Sequence, residues 1–297
     1  MSYLQALTRP RWNMFHKIKY IQHLPQIRNY TAKKSLLELK DKVAIITGGM
    51  GAIGEAITRE LLNKKVRRVF LIDISNDLGM IEALNCEFGG SDAVSLLKAD
   101  VTNRLEMEDA FKKIITDVDK FDIIVNAAGI YNGRHWEKEM QTNLLSTIGN
   151  NILAQRYIGK NGCIINLCGI QGVDPLSASP TLSAEYSGVV TLSRSIGHQK
   201  NFQRNSVRIV ALCTGITQRG NFNAGATERQ LNPDMGEDLA KYFDHCIRQK
   251  NEHCGCAVCH VIQHGEPGSV WVVDGGILYS MHYPSWRKYS RLEYSHY

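Results

Sequence analysis

Three glycines that follow a short β-branched run carry the clearest chemical signature of the chain. Gly49, Gly51 and Gly54 form a Gly-x-Gly-x-x-Gly pattern between the apolar run 43–47 and the amphipathic stretch 55–64. Such a loop allows a tight turn, a close approach of the backbone to a pyrophosphate, and phosphate binding at the N-terminus of the following helix. The pattern therefore predicts a dinucleotide site where the first strand meets the first helix.

An aspartate at the end of the next β-branched run is the second candidate. Asp73 follows Gly54 by about 20 residues, the spacing typical of a carboxylate that contacts a ribose. A carboxylate there accepts hydrogen bonds from the ribose hydroxyls of NAD and repels the additional phosphate of NADP. An ordinary turn residue is the alternative, and the glycine loop favours the ribose contact. The sequence therefore predicts NAD as the cofactor.

The elements that must position these residues are short β-rich runs separated by helix-length segments. The runs are 43–47, 66–73, 93–100, 122–129, 163–168, 207–213 and 269–274. This alternation predicts an α/β fold, a doubly wound parallel seven-stranded Rossmann sheet with helices on both faces. Because no linker or internal repeat interrupts it, we assign a single domain to residues 31–275. Residues 1–30 are then a leader, and 276–297 an aromatic-basic C-terminal arm.

Together these motifs resemble the short-chain dehydrogenase/reductase superfamily, and most closely its insect alcohol dehydrogenase and 15-hydroxyprostaglandin dehydrogenase-like branch. The resemblance rests on Thr47–Gly54, Asp100–Thr102, Asn126–Gly129, Asn143 and 213–217. It implies a cofactor site formed by Gly48, Gly49, Gly51, Ile53, Gly54, Asp73, Asp100, Val101, Asn126, Ala127, Gly129, Gly215 and Thr217. It also implies a homodimer that forms through the helices containing Asn143 and Tyr186.

The resemblance also locates the positions where catalytic groups belong. In this family a tyrosinate accepts the hydroxyl proton, a lysine four residues later lowers its pKa, and a serine orients the substrate. Asn143 matches the asparagine of the same catalytic set. Aligned without a gap, Gly169 stands at the serine position, Leu182 at the tyrosine and Tyr186 at the lysine. None of these three side chains can perform the expected task.

A shifted alignment leaves the same defect. A four-residue insertion would make Tyr186 the family's tyrosine, but Val190 would then stand at the lysine position. The preferred hypothesis is a pseudo-enzyme that binds NAD(H) and has a cofactor-sensing, structural or interaction role. Two alternatives stay open. One is an active NAD-dependent oxidoreductase that acts on the CH–OH group of a secondary alcohol with an atypical proton acceptor; the other is a fold that no longer binds NAD.

Composition and charge exclude several classes of protein. With 297 residues, 43% hydrophobic and 22% charged, the chain is neither disordered nor collagenous. No apolar run approaches the roughly 18 residues of a membrane-crossing helix. The net charge of +6 at pH 7 arises largely from five basic residues within 1–30, with no acidic residue before Glu38. Because the remaining chain is nearly neutral, no nucleic-acid partner is expected.

The acid-free leader resembles a mitochondrial targeting peptide, because its basic residues accompany apolar residues near one helical face. It predicts import into the mitochondrial matrix, and a cytoplasmic protein with a basic extension is the alternative.

The segment 256–260 matches the Cys-x-x-Cys-His pattern of haem attachment. Further Cys and His residues nearby make a zinc site a second possibility to consider. We expect a covering helix there, with Cys254 and Val258 facing inward, and no metal site.

Overall fold

A computed structural model describes residues 35–283 apart from 91, 221 and 223, and within this range apolar runs form an eight-stranded sheet. The strands are β1 Val43–Thr47, β2 Arg68–Asp73, β3 Val94–Lys98, β4 Phe121–Asn126, β5 Ile158–Gly169, β6 Arg208–Thr214, β7 Val270–Asp274 and β8 Ile277–Met281. Their order is β3-β2-β1-β4-β5-β6-β7-β8, all parallel except the antiparallel β7–β8 pair. The predicted leader 1–30 and residues 284–297 of the predicted arm lie outside the described residues.

Helices cover both faces of this sheet. They are α1 Ala52–Asn63, α2 Leu78–Glu87, α3 Arg104–Val118, α4 Trp136–Met140, α5 Ser146–Tyr157, α6 Pro180–Ile196, α7 Gln199–Asn205, α8 Pro233–His245 and α9 Asn251–His264. A π-helical turn, Gln141–Leu145, joins α4 to α5, and a 3-10 turn, Ile170–Gly172, follows β5. One apolar core lies under α1, α2 and α9, and a second lies under α3 and α5 on the opposite face. The doubly wound α/β prediction is confirmed.

The predicted count of seven strands is one too few. Gly275 and Gly276 adopt positive φ values of 56° and 81°, and they form the two-residue turn that pairs Asp274 with Ile277. Such a glycine pair is a hairpin signal. Ile277 is 50% exposed, so β8 lacks the buried pattern that marked the other strands. The first residues of the predicted arm therefore form an edge strand of the sheet.

The topology brings the candidate residues to one edge. The strand β1 lies between β2 and β4, so the loops that follow β1 and β4 diverge to opposite faces. The crevice outside the carboxyl ends of the strands at such a switch point is where ligands bind in open α/β sheets. The glycine loop after β1, Asp73 at the end of β2 and the loop after β4 all meet there.

Candidate functional site

The glycine loop has a backbone conformation and close contacts that a residue with a Cβ atom would disturb. Gly48 has a φ of +67°, and a Cβ placed there would lie 2.6 Å from the Cα of Ala128. A Cβ at Gly54 would lie 2.5 Å from the Gly48 carbonyl oxygen. The N-cap residue Gly51 offers no side chain to the first turn of α1. The amide groups of that turn are therefore available to an anion, as a pyrophosphate requires.

Asp73 connects the end of β2 to this loop. Its Oδ2 accepts a hydrogen bond from the Met50 amide at 3.0 Å, and its Oδ1 accepts one from the Ser75 amide at 3.0 Å. Each oxygen keeps a further lone pair. The side chain lines a groove of about 580 Å³ together with the glycine loop. Its position and remaining acceptors fit the contact with ribose hydroxyls that the sequence predicts.

A second groove of about 800 Å³ continues past Asp73 toward the end of β3. Asp100 and Val101 line it, as do Gly48 and Gly129. The Asp100 carboxylate accepts bonds from the Thr102 amide and hydroxyl, both at 2.8 Å, which holds this turn in place. Because ligand pockets commonly measure about 300–1,000 Å³, these grooves have room for an adenosine diphosphate group.

Two of the predicted cofactor residues lie behind the groove and support it. A Cβ at Gly49 would lie 2.8 Å from the Leu71 side chain, so this glycine permits close packing of the loop on β2. Asn126 is 3% exposed and donates to Asn166 Oδ1 at 2.8 Å. Asn166 in turn donates to Ser193 Oγ at 2.9 Å. Asn126 is therefore part of a buried polar network that ties β4 to β5 and α6.

The predicted catalytic positions surround a much smaller cavity, of about 100 Å³, at the other end of the glycine loop. Asn143, Gly169 and Tyr186 line it, together with Gly215 and Thr217. Leu182 is fully buried in the apolar cluster of α6, α8 and the adjoining loops. The fold thus brings Asn143, Gly169 and Tyr186 to one end of the groove, whereas Leu182 does not line this cavity.

An amide occupies the space of the absent serine side chain. A Cβ at Gly169 would lie 2.3 Å from Gln171 Oε1 and 2.7 Å from Tyr186 Cε2. Gln171 is 3% exposed and also lines the cavity. The sequence analysis missed Gln171, because its approach to Gly169 depends on the 3-10 turn that follows β5.

The Tyr186 phenol lies in surroundings opposite to those of a proton acceptor. Burial raises its pKa, and the nearby Cys168, Glu139 and Glu185 raise it further. Among the described residues, the cavity is lined by no lysine, arginine or histidine. Val190, the lysine position of the shifted alignment, is 3% exposed in an apolar cluster. Neither alignment supplies the cation that would stabilise a tyrosinate.

Two buried glutamates behind the cavity wall were not predicted. Asn143 exchanges two 2.9 Å hydrogen bonds with the main chain of Ile130, and its Nδ2 also donates to Glu185 Oε2 at 2.8 Å. Burial and the neighbouring Glu139 raise the pKa of Glu185 to about 8. Burial raises the pKa of Glu139 to about 7. Because glutamates are mostly exposed, no sequence pattern indicated that this pair would be buried.

The Cys-x-x-Cys-His stretch lies on the covering helix α9, as predicted. Cys254, Val258, Val261 and Ile262 are buried, whereas Cys256 is exposed. Within the described ranges, no group of three or more Cys, His, Asp or Glu side chains is placed to hold a metal ion. A search of the same residues for a helix of sufficient length and apolarity to cross a membrane finds none.

Comparisons with known proteins agree on one group of relatives. Residues 42–230 match the family model described as short chain dehydrogenase. Alcohol dehydrogenase 1 of Ceratitis cosyra is 26% identical over 247 residues, which are 82% of this chain and 95% of that protein. The 15-hydroxyprostaglandin dehydrogenase (NAD(+)) of Bos taurus is 32% identical over 216 residues, 70% of this chain and 77% of that protein.

Solved structures with a similar fold include a short-chain dehydrogenase/reductase. A short-chain dehydrogenase/reductase from Brucella melitensis, titled glucose/ribitol dehydrogenase, superposes with a TM-score of 0.65 at 16% sequence identity. The match covers 81% of this chain and 98% of that one. At this identity the likeness concerns the fold alone.

Proposed function

The chain belongs to the short-chain dehydrogenase family, and from that premise we propose that it binds NAD(H) without oxidising alcohols. The observation that carries the proposal is the absence of any lysine, arginine or histidine among the described residues that line the cavity around Tyr186. Alcohol oxidation needs a group that accepts the hydroxyl proton as hydride leaves. A phenol with a raised pKa and no cation beside it is a poor acceptor.

NAD(H) is favoured as the ligand by the glycine loop and by Asp73. The uncapped first turn of α1 is suited to the pyrophosphate, and the Asp73 carboxylate to the ribose hydroxyls. When bound, the nicotinamide ring supplies hydride chemistry. The residues of this chain would bind and orient the dinucleotide, and Asn143 would fix the loop after β4 beside it.

One observation favours the alternative, an active NAD-dependent oxidoreductase that acts on a secondary alcohol. Glu185 is fully buried next to Tyr186 in the chain, and its pKa is raised to about 8. A carboxyl group with a pKa near the operating pH is suited to general acid–base catalysis. It is separated from the cavity by Asn143, however, so it has no direct contact with a substrate hydroxyl.

Two measurements on the full chain separate these functions. NADH fluorescence over a panel of secondary alcohols reports turnover, and calorimetry with NAD+ reports binding. Binding without turnover is the expected result. Wild-type turnover that is lost in Asp73→Ala would overturn the proposal in favour of the active enzyme, and its persistence in Tyr186→Phe would indicate a proton acceptor other than Tyr186. The absence of NAD+ binding would favour the remaining alternative, a fold that no longer binds NAD.

Location and assembly are part of the same proposal. The basic leader 1–30 supports import into the mitochondrial matrix, which import of the labelled full chain into isolated mitochondria tests. A homodimer through the helices around Asn143 and Tyr186 is supported by Leu145 and Ile152, which are 53% and 51% exposed beside or on α5. Sedimentation of the purified protein should show a dimer, and a monomer at all concentrations would contradict it.

A further inference from the structure

The two ends of the groove differ in the space they leave for a ligand. The grooves around Asp73 measure about 580 and about 800 Å³. The cavity beside Gly215 and Thr217, which the family resemblance places next to the nicotinamide, measures about 100 Å³. The cavity is therefore several times smaller than either groove. The nucleotide end is wide, and the nicotinamide end is narrow.

Two side chains at the nicotinamide end pack closely against the backbone of Gly169. The Tyr186 ring lies against Gly169 so closely that a Cβ there would be 2.7 Å from Tyr186 Cε2. The Gln171 amide occupies the space beside it, 2.3 Å from the same point. The helix α6 that carries Tyr186 is fixed on the sheet, because Val189 and Val190 pack in a buried apolar cluster.

The opposite wall of the cavity is fixed by buried polar contacts. The Tyr131 hydroxyl lies 2.9 Å from Ser179 Oγ and accepts a hydrogen bond from Gln230. Gln230 also donates to the Ala226 carbonyl at 3.0 Å. Phe222 packs edge-on against the Tyr131 ring, with 4.8 Å between centroids. Widening the cavity on this side would break buried hydrogen bonds and leave their partners unsatisfied, which is unfavourable.

The nucleotide end also holds the cation that suits a pyrophosphate. Arg219 lines the groove beside Ala52 and Gly220, and it is the one cationic side chain among the described residues that do so. The other ionisable residues lining this groove are acidic: Glu55, Asp73 and Asp77. An arginine there compensates for those carboxylates when a doubly charged pyrophosphate binds.

From these contrasts we infer that the site selects the adenosine diphosphate moiety common to NAD+, NADH and ADP-ribose, and gains little affinity from the nicotinamide ring. The inference rests on the proposed function, because it concerns the ligand of the same groove. Such selectivity would make the binding affinity insensitive to whether the cofactor is NAD+ or NADH. The groove would then recognise any molecule that carries adenosine diphosphate with free hydroxyls on the adenosine ribose, which Asp73 would contact.

Calorimetry on the full chain tests the inference with four titrants: NAD+, NADH, ADP-ribose and nicotinamide mononucleotide. We expect the first three to bind with dissociation constants within about threefold of one another, and the mononucleotide to bind at least about 100-fold more weakly. Binding of NAD+ or NADH more than about tenfold tighter than ADP-ribose would overturn the inference and leave the proposed function standing. Binding of none of the four would overturn both.

A cavity-opening variant provides an independent test. Tyr186→Ala should raise the affinity for NAD+ relative to ADP-ribose by about fivefold or more, because it makes room for the nicotinamide. Tyr186→Phe keeps the ring and should leave the ratio unchanged, as should the control Tyr157→Ala, whose ring packs on Phe111 at 6.2 Å. Retained ADP-ribose binding shows that the variant is folded, and an unchanged ratio in Tyr186→Ala would contradict the inference.

Discussion

The nucleotide end of the groove is built mainly from main-chain geometry, whereas the nicotinamide end depends on individual side chains. At the first end, Gly48 and Gly54 are required by backbone contacts, and the first turn of α1 presents its amides. At the second, the family resemblance implies three specific side chains, and the ungapped alignment places Gly169, Leu182 and Tyr186 at their positions.

Under the proposed function, this comparison means that binding and catalysis are separable in this fold. A main-chain cradle is tied to the fold itself, since altering it disturbs the contacts between β1, α1 and the loop after β4. The side chain at position 182 is not tied to the fold in this way, because Leu182 packs in an apolar cluster at the tyrosine position of the ungapped alignment. The proposed function therefore implies that a family member would lose its chemistry while its nucleotide groove stays intact.

The largest expected effect comes from breaking the main-chain cradle with Gly48→Ala. A Cβ there clashes with the Ala128 backbone, and the φ of +67° costs a non-glycine residue about 1–3 kcal/mol. NAD+ affinity measured by calorimetry should fall by more than about 100-fold. Gly90→Ala is the control, because a Cβ at Gly90 meets nothing within 4 Å. Equal loss in both variants would contradict the role of the cradle.

A pH titration probes the region behind the wall of the nicotinamide end, where burial raises the pKa values of Glu139 and Glu185 to about 7 and about 8. In the unfolded chain a glutamate titrates near about 4.3, so the folded state holds more protons between these values. Stability should therefore decline as pH rises from about 5 to about 8, by about 1.4 kcal/mol for each unit of pKa difference.

Thermal unfolding followed by circular dichroism measures this decline. Glu185→Gln keeps an acceptor for Asn143 and removes one titrating group, so its melting temperature should vary less with pH than that of the wild type. Glu82→Gln, at an exposed position of α2, is the control and should follow the wild-type curve. A wild-type melting temperature that rises over this range would contradict the assignment.

A smaller effect is expected from Asp73→Asn. The substitution removes the charge that accepts bonds from the ribose hydroxyls, while an amide oxygen still caps one of the amides of Met50 and Ser75. We expect NAD+ and ADP-ribose to lose affinity equally, by about tenfold, since a hydrogen bond to a charged group contributes about 1.5–3 kcal/mol. Asp92→Asn, on an exposed loop, is the control for the charge change. A loss confined to NAD+ would show that Asp73 does not act through the shared ribose.

The smallest effect concerns Arg219→Gln. Arg219 is exposed, and solvent screens its attraction to a pyrophosphate. Affinity for NAD+ should fall by about threefold at low ionic strength, and the difference should vanish in high salt. Arg67→Gln, an exposed arginine on the loop before β2, should change nothing. A salt-independent loss would indicate a contact other than charge attraction.

Much of the fold was predictable because buried parallel strands are continuous β-branched runs, and the seven predicted strands are all present. The amino-terminal part of β5 was missed, since Gly159 to Gly162 have low strand propensity and join the sheet only through the pairing of Ile158 with Phe121. β8 was missed because its edge position leaves Ile277 half-exposed.

The candidate site was predictable where its function depends on local sequence. The glycine loop and Asp73 were found because their spacing is fixed by one strand, one turn and one helix. Gln171, Glu139 and Glu185 were not found. Their proximity to the cavity depends on packing between segments that are distant in sequence.

The sequence by itself determined that a Rossmann-like α/β domain with a glycine-rich loop would form and that no lysine would follow position 182 or 186 by one helical turn. Only the tertiary structure decided what occupies the vacated positions: an apolar cluster around Leu182, and the Tyr186 ring beside the Gln171 amide. The reason is that periodicity and spacing record interactions along one element, whereas the shape of a cavity is set by side chains that meet from several elements.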